Sequence, residues 1–355
     1  MTDFWRSFSV TDVGVKRKVN QDAIYVSDVD KIWLVADGMG GHAQGDKASQ
    51  ALVAAFNNLK LSNTLAERVL QIEATISKVN SDLQHYSQVT LNGKAIGSTI
   101  VLYTVCQGVG VLLWAGDSRG YKVEKNHVEQ ISWDHSHIEE LLKAGQITKT
   151  EAAESKLSNV ITRAVGAHKE IYFDHVLIPA NISNSLLLCS DGLTNELNDA
   201  EINSILQQDQ CSQAAIDNLL QKTLEKGAKD NVSIIIIKNE SYESQTSESS
   251  RLYNQLNDAI SRISQDFFQE KIEQSEYMSE LTSILNASTF DNNLQTQPGI
   301  SKKQQACLNN EKELPTNNYP KITQSDVIKS SMTKFKVLLI VVLLIIVITY
   351  LFDLI

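Results

Sequence analysis

Short apolar runs alternate with segments of helical spacing through the first 240 residues of the chain. Short apolar runs that end in turn-forming residues are typical of buried strands, and apolar positions three and four residues apart are typical of helices. The Gln107-Gly108 turn between two such runs predicts a hairpin. Hairpin-forming strands beside long helices favour an α+β layered fold. The predicted strands are 31–36, 98–105, 110–115, 186–189 and 232–237, and the predicted helices are 47–59 and 65–86.

A polar segment divides the chain after this region. Residues 241–250, SYESQTSESS, predict a linker that follows a domain at 1–240. In 251–286, apolar residues follow spacings of 4, 4, 3 and 4, which predicts one face of an amphipathic helix. This face can bind a partner, form a dimer or fold back on the domain, and the spacing does not separate these alternatives. The residues are Leu252, Leu256, Ile260, Ile263 and Phe267.

The last part of the chain has a different composition. Residues 287–334 are rich in Asn, Gln, Ser, Thr and Lys, which predicts a flexible tether. Residues 335–355 contain a long apolar run and approach the roughly 20 residues that span a bilayer. Three lysines on its N-terminal side, Lys329, Lys334 and Lys336, place the preceding domain in the cytoplasm by the positive-inside rule. We therefore expect a single-pass C-terminal transmembrane anchor; the alternative is an apolar helix packed on a partner protein.

Charge and cysteine spacing exclude some classes of protein. The 355 residues include 42 acidic and 32 basic side chains, and the formal net charge of −10 argues against a general nucleic-acid-binding protein. The four cysteines have no CxxC spacing, which argues against a zinc ribbon. None has an arginine six positions later, as a cysteine-dependent phosphatase would need. All seven His lie by residue 175 and 15 of 16 Gly by residue 227, so the candidate chemistry lies in the first domain.

Five aspartates lie in turns or at the ends of predicted strands: Asp22, Asp37, Asp117, Asp191 and Asp230. Residues at strand ends are held rigidly, so several such ends can converge on one site. Carboxylates without Cys and with few His fit hard cations such as Mg²⁺ or Mn²⁺. A single Asp-Gly is ordinarily a turn, but five such positions together favour a two-metal hydrolytic site.

Eight short motifs occur in an order that resembles one protein family. The motifs are an RxxxND-like segment at 17–22, VADGMGGH, GST, WAGDSRGY, DHS, TRAVG, SDGL and KDN. From residue 6 to about residue 238, the chain resembles the metal-dependent serine/threonine protein phosphatases of the 2C type, in their bacterial form. The resemblance implies a four-layer α-β-β-α sandwich, in which helices flank two antiparallel sheets and a binuclear metal centre lies at one end.

The resemblance also implies a set of metal ligands. Asp37 would bridge two Mn²⁺ or Mg²⁺ ions, and the carbonyl of Gly38 would bind one of them. Asp191 and Asp230 would bind the other ion, and Asp22 would hold a metal-bound water.

Further roles follow from the same motifs. Asp117 would hold a third, weaker ion together with Asp191, and Asn231 would support the site from outside the ligand set. Arg17 would bind the substrate phosphate, since a guanidinium can grip two phosphate oxygens at once. His42 is a candidate proton donor for the leaving Ser or Thr, because imidazole titrates near physiological pH. The alternative for this histidine is a hydrogen-bonding role at the start of a helix.

The sequence departs from the family pattern at two places. Gly45-Asp46 stands where many relatives have Gly-Glu, which still puts an acid in the first turn of a helix. Residues 136–159 match a flap over the substrate groove, with Ser155-Lys156 in place of His-Pro, and this affects substrate preference. His135 and His137 are expected to support the fold rather than to act in catalysis.

The implied reaction is hydrolysis of phospho-Ser/Thr monoesters by a water that the metal centre activates. The implied partners are phosphorylated proteins, a cognate kinase with its targets, and a membrane. One alternative is dinucleotide binding, since Gly38-x-Gly40-x-x-Ala43 follows a strand, but Asp37 would place a negative charge beside the pyrophosphate. A second alternative is a pseudophosphatase that binds phosphoproteins at a membrane without cleaving them. The presence of every expected aspartate favours the enzyme.

Overall fold

The computed structural model of the chain describes residues 5–40, 44–57, 59–154, 160–180, 185–240, 247–268 and 271–295. The strands in these ranges are β1 Trp5–Asp12, β2 Asp22–Ser27, β3 Ile32–Gly40, β4 Ile96–Ser98, β5 Ile100–Cys106, β6 Val109–Ala115, β7 Arg119–Glu124, β8 His127–Gln130, β9 Asp174–Pro179, β10 Ser185–Cys189 and β11 Val232–Asn239. The helices are α1 Gly45–Phe56, α2 Leu65–Thr90, α3 His137–Lys143, α4 Lys149–Glu154, α5 Asp191–Thr194, α6 Asp199–Gln208, α7 Gln213–Lys226, α8 Ser247–Phe268 and α9 Gln274–Gln295.

The strands form two antiparallel sheets. The first sheet has the order β1-β11-β10-β7-β8. The second has the order β2-β3-β5-β6-β9, with β4 paired to β3. In the first sheet β1 pairs with β11, so that Trp5 lies opposite Asn239 and Asp12 opposite Val232. The first and last of the described strands are thereby paired in a single ladder.

Three apolar clusters define four layers. One cluster lies between the sheets and includes Trp33, Trp114 and Leu188. A second joins the first sheet to α6 and α7, and a third joins the second sheet to α1 and α2. β5, β6 and β10 are buried along their whole length, because helices cover one face and the other sheet covers the opposite face. The predicted α-β-β-α sandwich is confirmed.

The predicted hairpin is also present. β5 and β6 pair in register and are connected by Gln107 and Gly108, whose φ angles are 53° and 77°. Two successive residues with positive φ form the turn that matches the twist of a two-stranded ribbon. The predicted strand at 98–105 is divided in the structure, because β4 ends at Ser98 and β5 begins at Ile100.

Two helices after the sandwich, α8 and α9, pack back onto it beside α2 and β9. Tyr253, Ile260 and Ile263 of α8 are buried with Leu281 and Leu285 of α9 in one apolar cluster. The pairing is extended by an aromatic stack in which the rings of Phe267 and Tyr277 lie 4.7 Å apart. Of the alternatives for the amphipathic segment, the structure therefore shows folding back on the domain.

A side-chain amide completes this contact. Asn257 Oδ1 accepts from the Leu177 N–H at 2.7 Å, and Asn257 Nδ2 donates to the Leu177 carbonyl at 3.1 Å. Leu177 lies on β9, at the edge of the second sheet. The amide thus satisfies the two backbone groups that a neighbouring strand would otherwise bind.

The boundaries of this region differ from those predicted. α8 begins at Ser247, inside the segment 241–250 predicted as a linker, and α9 continues to Gln295, into the predicted tether. The side chain of Leu252 and all of residues 296–355 lie outside the described residues. The predicted transmembrane anchor at 335–355 therefore falls outside the part of the chain that the structure describes. Within the described ranges, no helix is both long and apolar enough to cross a bilayer.

Candidate active site

The five aspartates lie at the same end of the sandwich, on segments from both sheets. Asp22 opens β2 and lies directly opposite Asp37 in the β2–β3 ladder. Asp117 lies in the turn between β6 and β7, and Asp191 is the first residue of α5, after β10. Asp230 lies two residues before β11. Residues far apart along the chain are therefore brought together by the strand order.

Asp37 is the centre of this acidic group. Burial raises the pKa of Asp37 well above its usual range, and the negative charges of all four other aspartates raise it further. Because each added charge disfavours ionisation, a cluster of this kind holds protons unless cations replace them. Asp37 is therefore buried within the electrostatic influence of all four other aspartates.

The neighbouring carboxyl groups are affected in the same direction. Burial raises the pKa of both Asp22 and Asp117 to about 7, and the charge of Asp191 adds to each shift. Burial and the charge of Asp230 raise the pKa of Asp191, against the effect of hydrogen bonds from Asp37 and Asn195. These carboxyl groups are coupled and titrate as a set.

Three oxygen atoms of this group suit a hard cation. Oδ1 of Asp22, of Asp117 and of Asp191 is buried and makes no hydrogen bond. Buried carboxylate oxygens without partners are uncommon in folded proteins, and oxygen-only ligands are those that Mg²⁺ and Mn²⁺ take. Within the described residues, no three Asp, Glu, His or Cys side chains already enclose a position for an ion. The donor set therefore fits such cations, and the side chains would have to close around them.

Two serines that the sequence analysis did not single out orient Asp22. Ser190 Oγ donates to Asp22 Oδ2 at 2.8 Å and accepts from the Ser233 N–H at 3.0 Å. Ser190 immediately precedes Asp191, and Ser233 follows Asn231 by two positions. Their positions inside the SDGL and KDNVS segments mark both serines as neighbours of predicted ligands. Proximity in the sequence does not, however, show that the two serines contact each other across two strands.

The GST motif acts on Asp37 in a similar way. Thr99 donates its backbone N–H to the Asp37 carbonyl at 2.9 Å, and Thr99 Oγ1 accepts from the Asp37 N–H at 3.2 Å. Ser98 Oγ donates to the same carbonyl at 3.0 Å. Thr99 also contacts Ser118 Oγ at 2.7 Å, beside Asp117. Ser98 and Thr99 thus connect the backbone around two of the aspartates.

Asn231 fixes the segments that carry Arg17 and Asp22. Its Nδ2 donates to the carbonyls of Val13 and Val19 at 2.9 and 3.1 Å. Its Oδ1 accepts from the Gln21 N–H at 2.8 Å. Asn231 is 2 % exposed, so its amide makes all three bonds from a buried position. Arg17 itself is exposed and donates from Nη2 to Asp230 Oδ2 at 2.6 Å.

Gly38 packs against the start of α1 more closely than any other residue could. A Cβ at Gly38 would lie 2.0 Å from the Gly45 carbonyl oxygen, and a Cβ at Gly45 would lie 2.3 Å from the Gly38 oxygen. Both positions therefore require glycine. Asp46 follows in the first turn of α1, as predicted. His42 lies in residues 41–43, outside the described part of the chain.

A partly buried relay of His135, Asp174 and Arg163 lies behind Asp117. His135 Nδ1 accepts from the Gly116 N–H at 3.0 Å, which leaves the proton on Nε2 to be shared with Asp174 at 3.1 Å. Arg163 Nη1 donates to the other oxygen of Asp174 at 3.0 Å. Burial lowers the pKa of His135 against the influence of Asp174. The fold-supporting role predicted for His135 matches these contacts.

The flap region contains two short helices. α3 begins after Ser136, whose Oγ accepts from the Glu139 N–H at 3.3 Å, and α4 follows it. Ser155-Lys156, the predicted departure from the family, lies outside the described residues.

Comparisons with known proteins agree with this architecture. The family model for protein phosphatase 2C matches residues 15–232. The serine/threonine phosphatase stp of Listeria innocua is 33% identical over 234 residues, which are 64% of this chain and 93% of that protein.

Two solved structures have the same fold. PppA of Pseudomonas aeruginosa superposes with a TM-score of 0.60 at 33% identity, over 66% of this chain and 98% of that chain. The catalytic domain of the phosphatase PstP, in complex with two manganese ions, superposes with a TM-score of 0.59 at 28% identity, over 67% and 99% of the two chains.

The fold and the matched residues define a hydrolase of phosphate esters in proteins. The chain belongs to the protein phosphatase 2C family and is a protein-serine/threonine phosphatase of the bacterial type.

Proposed function

We propose that the chain hydrolyses phosphoserine and phosphothreonine esters of proteins with two Mn²⁺ or Mg²⁺ ions. Asp37, Asp191, Asp230 and the Gly38 carbonyl would hold the pair, and Asp22 would hold a metal-bound water. Asp117 would hold a third ion with Asp191. The observation that carries the proposal is the group of buried Oδ1 atoms on Asp22, Asp117 and Asp191 that make no hydrogen bond. When bound, such ions neutralise charge on phosphoryl oxygens and lower the pKa of water.

The residues of the chain then have separate tasks. Arg17 binds the phosphate oxygens and stabilises their charge as the bond to the Ser or Thr oxygen breaks. Ser190 orients Asp22 through the 2.8 Å bond to its Oδ2. Asn231 fixes the loop of Arg17 through Val13 and Val19. In the overall reaction, a water oxygen bonds to phosphorus and the alcohol leaves with a proton.

Metal-dependent turnover by the full chain is the decisive test. The chain is assayed on a phosphothreonine peptide with Mn²⁺, beside Asp37→Asn, Asp191→Asn and the control Asp82→Asn. Asp82 is exposed on α2 and pairs only with Lys78 among the described residues, at 2.9 Å. We expect the first two variants to lose at least about 100-fold in kcat/KM and the control to retain it. Peptide binding without metal-dependent turnover would overturn the proposal and support the pseudophosphatase alternative.

We also propose that the enzyme opposes a protein kinase at a membrane, with the catalytic domain in the cytoplasm. The support for the membrane location is the apolar run in 335–355 and the lysines that precede this run. Deletion of residues 335–355 should move the protein from the membrane fraction to the soluble fraction, with kcat/KM on a peptide unchanged. Unchanged partitioning would contradict the anchor without bearing on catalysis.

A further inference from the structure

The loop between β1 and β2 carries three consecutive cations, Lys16, Arg17 and Lys18. Val15 and Val19 flank them and are 55% and 43% exposed. All three basic residues are exposed as well. The chain as a whole has a formal net charge of −10, so the positive charge of this loop is opposite in sign to that of the chain.

The loop is held rigidly at both ends. Gly14, with φ of 74°, donates its N–H to Asp12 Oδ1 at 2.7 Å and starts the turn. The Val15 N–H donates to the Ala228 carbonyl at 3.0 Å. Asn231 Nδ2 binds the carbonyls on either side of the basic residues, as described above. The cations therefore extend from a fixed backbone rather than from a freely moving loop.

The central cation is already engaged at the candidate active site. Arg17 contacts Asp230 at 2.6 Å, which fixes the loop beside the aspartate cluster. In the part of the chain that the structure describes, neither Lys16 nor Lys18 forms an ion pair or a side-chain hydrogen bond. Two ammonium groups therefore flank the predicted phosphate-binding residue with their charges available to a ligand.

We propose that Lys16 and Lys18 select phosphoprotein segments in which acidic residues flank the phosphorylated Ser or Thr. The inference rests on the proposed phosphatase function and adds a substrate class to it. A peptide whose phosphate lies at Arg17 would extend along the loop, where carboxylates attract the two ammonium groups. Exposed charge pairs are individually weak and screened by salt, so the preference should be moderate and sensitive to ionic strength.

The test uses the full chain with Mn²⁺ and phosphothreonine peptides of equal length, flanked by Glu, by Ala or by Lys. We expect kcat/KM to be about fivefold to tenfold higher for the Glu-flanked than for the Lys-flanked peptide. The double variant Lys16→Glu/Lys18→Glu should reverse this ratio, and the control Lys78→Glu, on an exposed part of α2, should leave it unchanged. In about 0.5 M salt, where the Debye length is roughly 4 Å, the preference should fall toward unity.

Each outcome bears on one of the two proposals. Equal kcat/KM for the three peptides in the unmodified chain would overturn this inference, as would an unchanged ratio in the double variant. p-Nitrophenyl phosphate, which has no flanking residues, separates the proposals. Failure of the unmodified chain to hydrolyse this ester and every peptide with Mn²⁺ would overturn the proposed function instead.

Discussion

Arg17 Nη2 lies 2.6 Å from Asp230 Oδ2, so a predicted phosphate-binding residue neutralises a predicted metal ligand. A metal ion at Asp230 would compete with this guanidinium, and a bound phosphate would attract the guanidinium. The pair is 46% and 31% exposed, which limits its strength in water.

Replacement of Arg17 should therefore change metal binding and catalysis in opposite directions. Arg17→Ala removes the competing cation, and we expect Mn²⁺ to bind up to about fivefold more tightly, as measured by calorimetry. The same variant should lose about 100-fold in kcat/KM, because the phosphate loses a charged partner in the transition state. Arg6→Ala, a contact to Glu240 away from the cluster, is the control. Weaker Mn²⁺ binding by Arg17→Ala would contradict the competition.

Stabilisation by divalent cations should increase with pH. Burial, with the charge of neighbouring carboxylates, raises the pKa of Asp22 and Asp117 to about 7. A carboxyl group whose pKa is higher in the folded than in the unfolded state stabilises the fold most below about pH 4, and this contribution is lost as pH rises through about 7.

Calorimetry with and without Mg²⁺ checks this sign. Because cations replace the protons, the rise in Tm that Mg²⁺ produces should be larger at pH 8 than at pH 5. Asp37→Asn should reduce the rise at both pH values, whereas Asp82→Asn should not. A Tm increment that is independent of pH in the unmodified chain would contradict the coupling.

The relay behind Asp117 should stabilise the domain and the turn that carries Asp117. In Asp174→Asn, His135 and Arg163 lose the carboxylate that contacts them at 3.1 and 3.0 Å. We expect a loss of about 2 kcal/mol in the free energy of unfolding, since Asp174 is partly exposed and its ion pairs are partly screened. Urea unfolding at pH 7 measures this loss. Glu170→Gln, on an exposed neighbouring position, is the control, and equal stabilities of the two variants would refute the role of the relay.

The same relay has a defined acid dependence. Although burial opposes the effect, His135 and Arg163 hold the pKa of Asp174 below its usual range. A depressed pKa contributes stability that is present above about pH 4 and is lost as pH falls toward the folded-state value. The destabilisation by Asp174→Asn should therefore shrink when the two proteins are compared at pH 3. A difference that stays constant would show that packing, and not charge, dominates.

Asn257 should stabilise the packing of α8 on the sandwich. Asn257→Ala leaves the N–H and carbonyl of Leu177 without their side-chain partner, and we expect a cost of about 2 kcal/mol in the free energy of unfolding. Asn254→Ala, exposed one turn earlier on the same helix, controls for helix propensity. Hydrogen exchange at Leu177 gives a local measurement, and faster exchange is expected only in the Asn257 variant. Unchanged exchange would contradict the edge-strand pairing.

The predictable parts of the fold were those with a local signal. The hairpin at β5–β6 followed from two apolar runs around Gln107-Gly108, and the apolar spacing of α8 predicted a helix. α9 has three buried residues at four-residue spacing, Tyr277, Leu281 and Leu285, among many polar ones. This apolar pattern was too weak to predict a separate second helix. The docking site of the helices could not be predicted, because the pairing of Asn257 with Leu177 spans 80 residues.

The candidate site likewise combines features that local sequence predicted with contacts that it could not predict. Each aspartate was recognisable from its position in a turn or at the end of a predicted strand. The interactions of Asp22 with Ser190 and of Gln21 with Asn231 join residues 168 and 210 positions apart, and no local pattern encodes them. Through the family resemblance, the order of the eight motifs indicated that distant segments meet at one site. The periodicity of the sequence did not indicate this.

The pairing of β1 with β11 has a consequence for the time at which activity can arise during synthesis. The first strand of the chain lies in register with residues 232–239, so this edge of the sandwich stays open until Asn239 has left the ribosome. Asp230 and Asn231 directly precede this last strand, so Arg17 and Gln21 lack their hydrogen-bond partners until it is synthesised. A nascent chain interrupted at α7 should contain most of the sandwich and remain inert toward phosphoproteins. Catalytic competence thus reports that translation has passed the last strand of the domain.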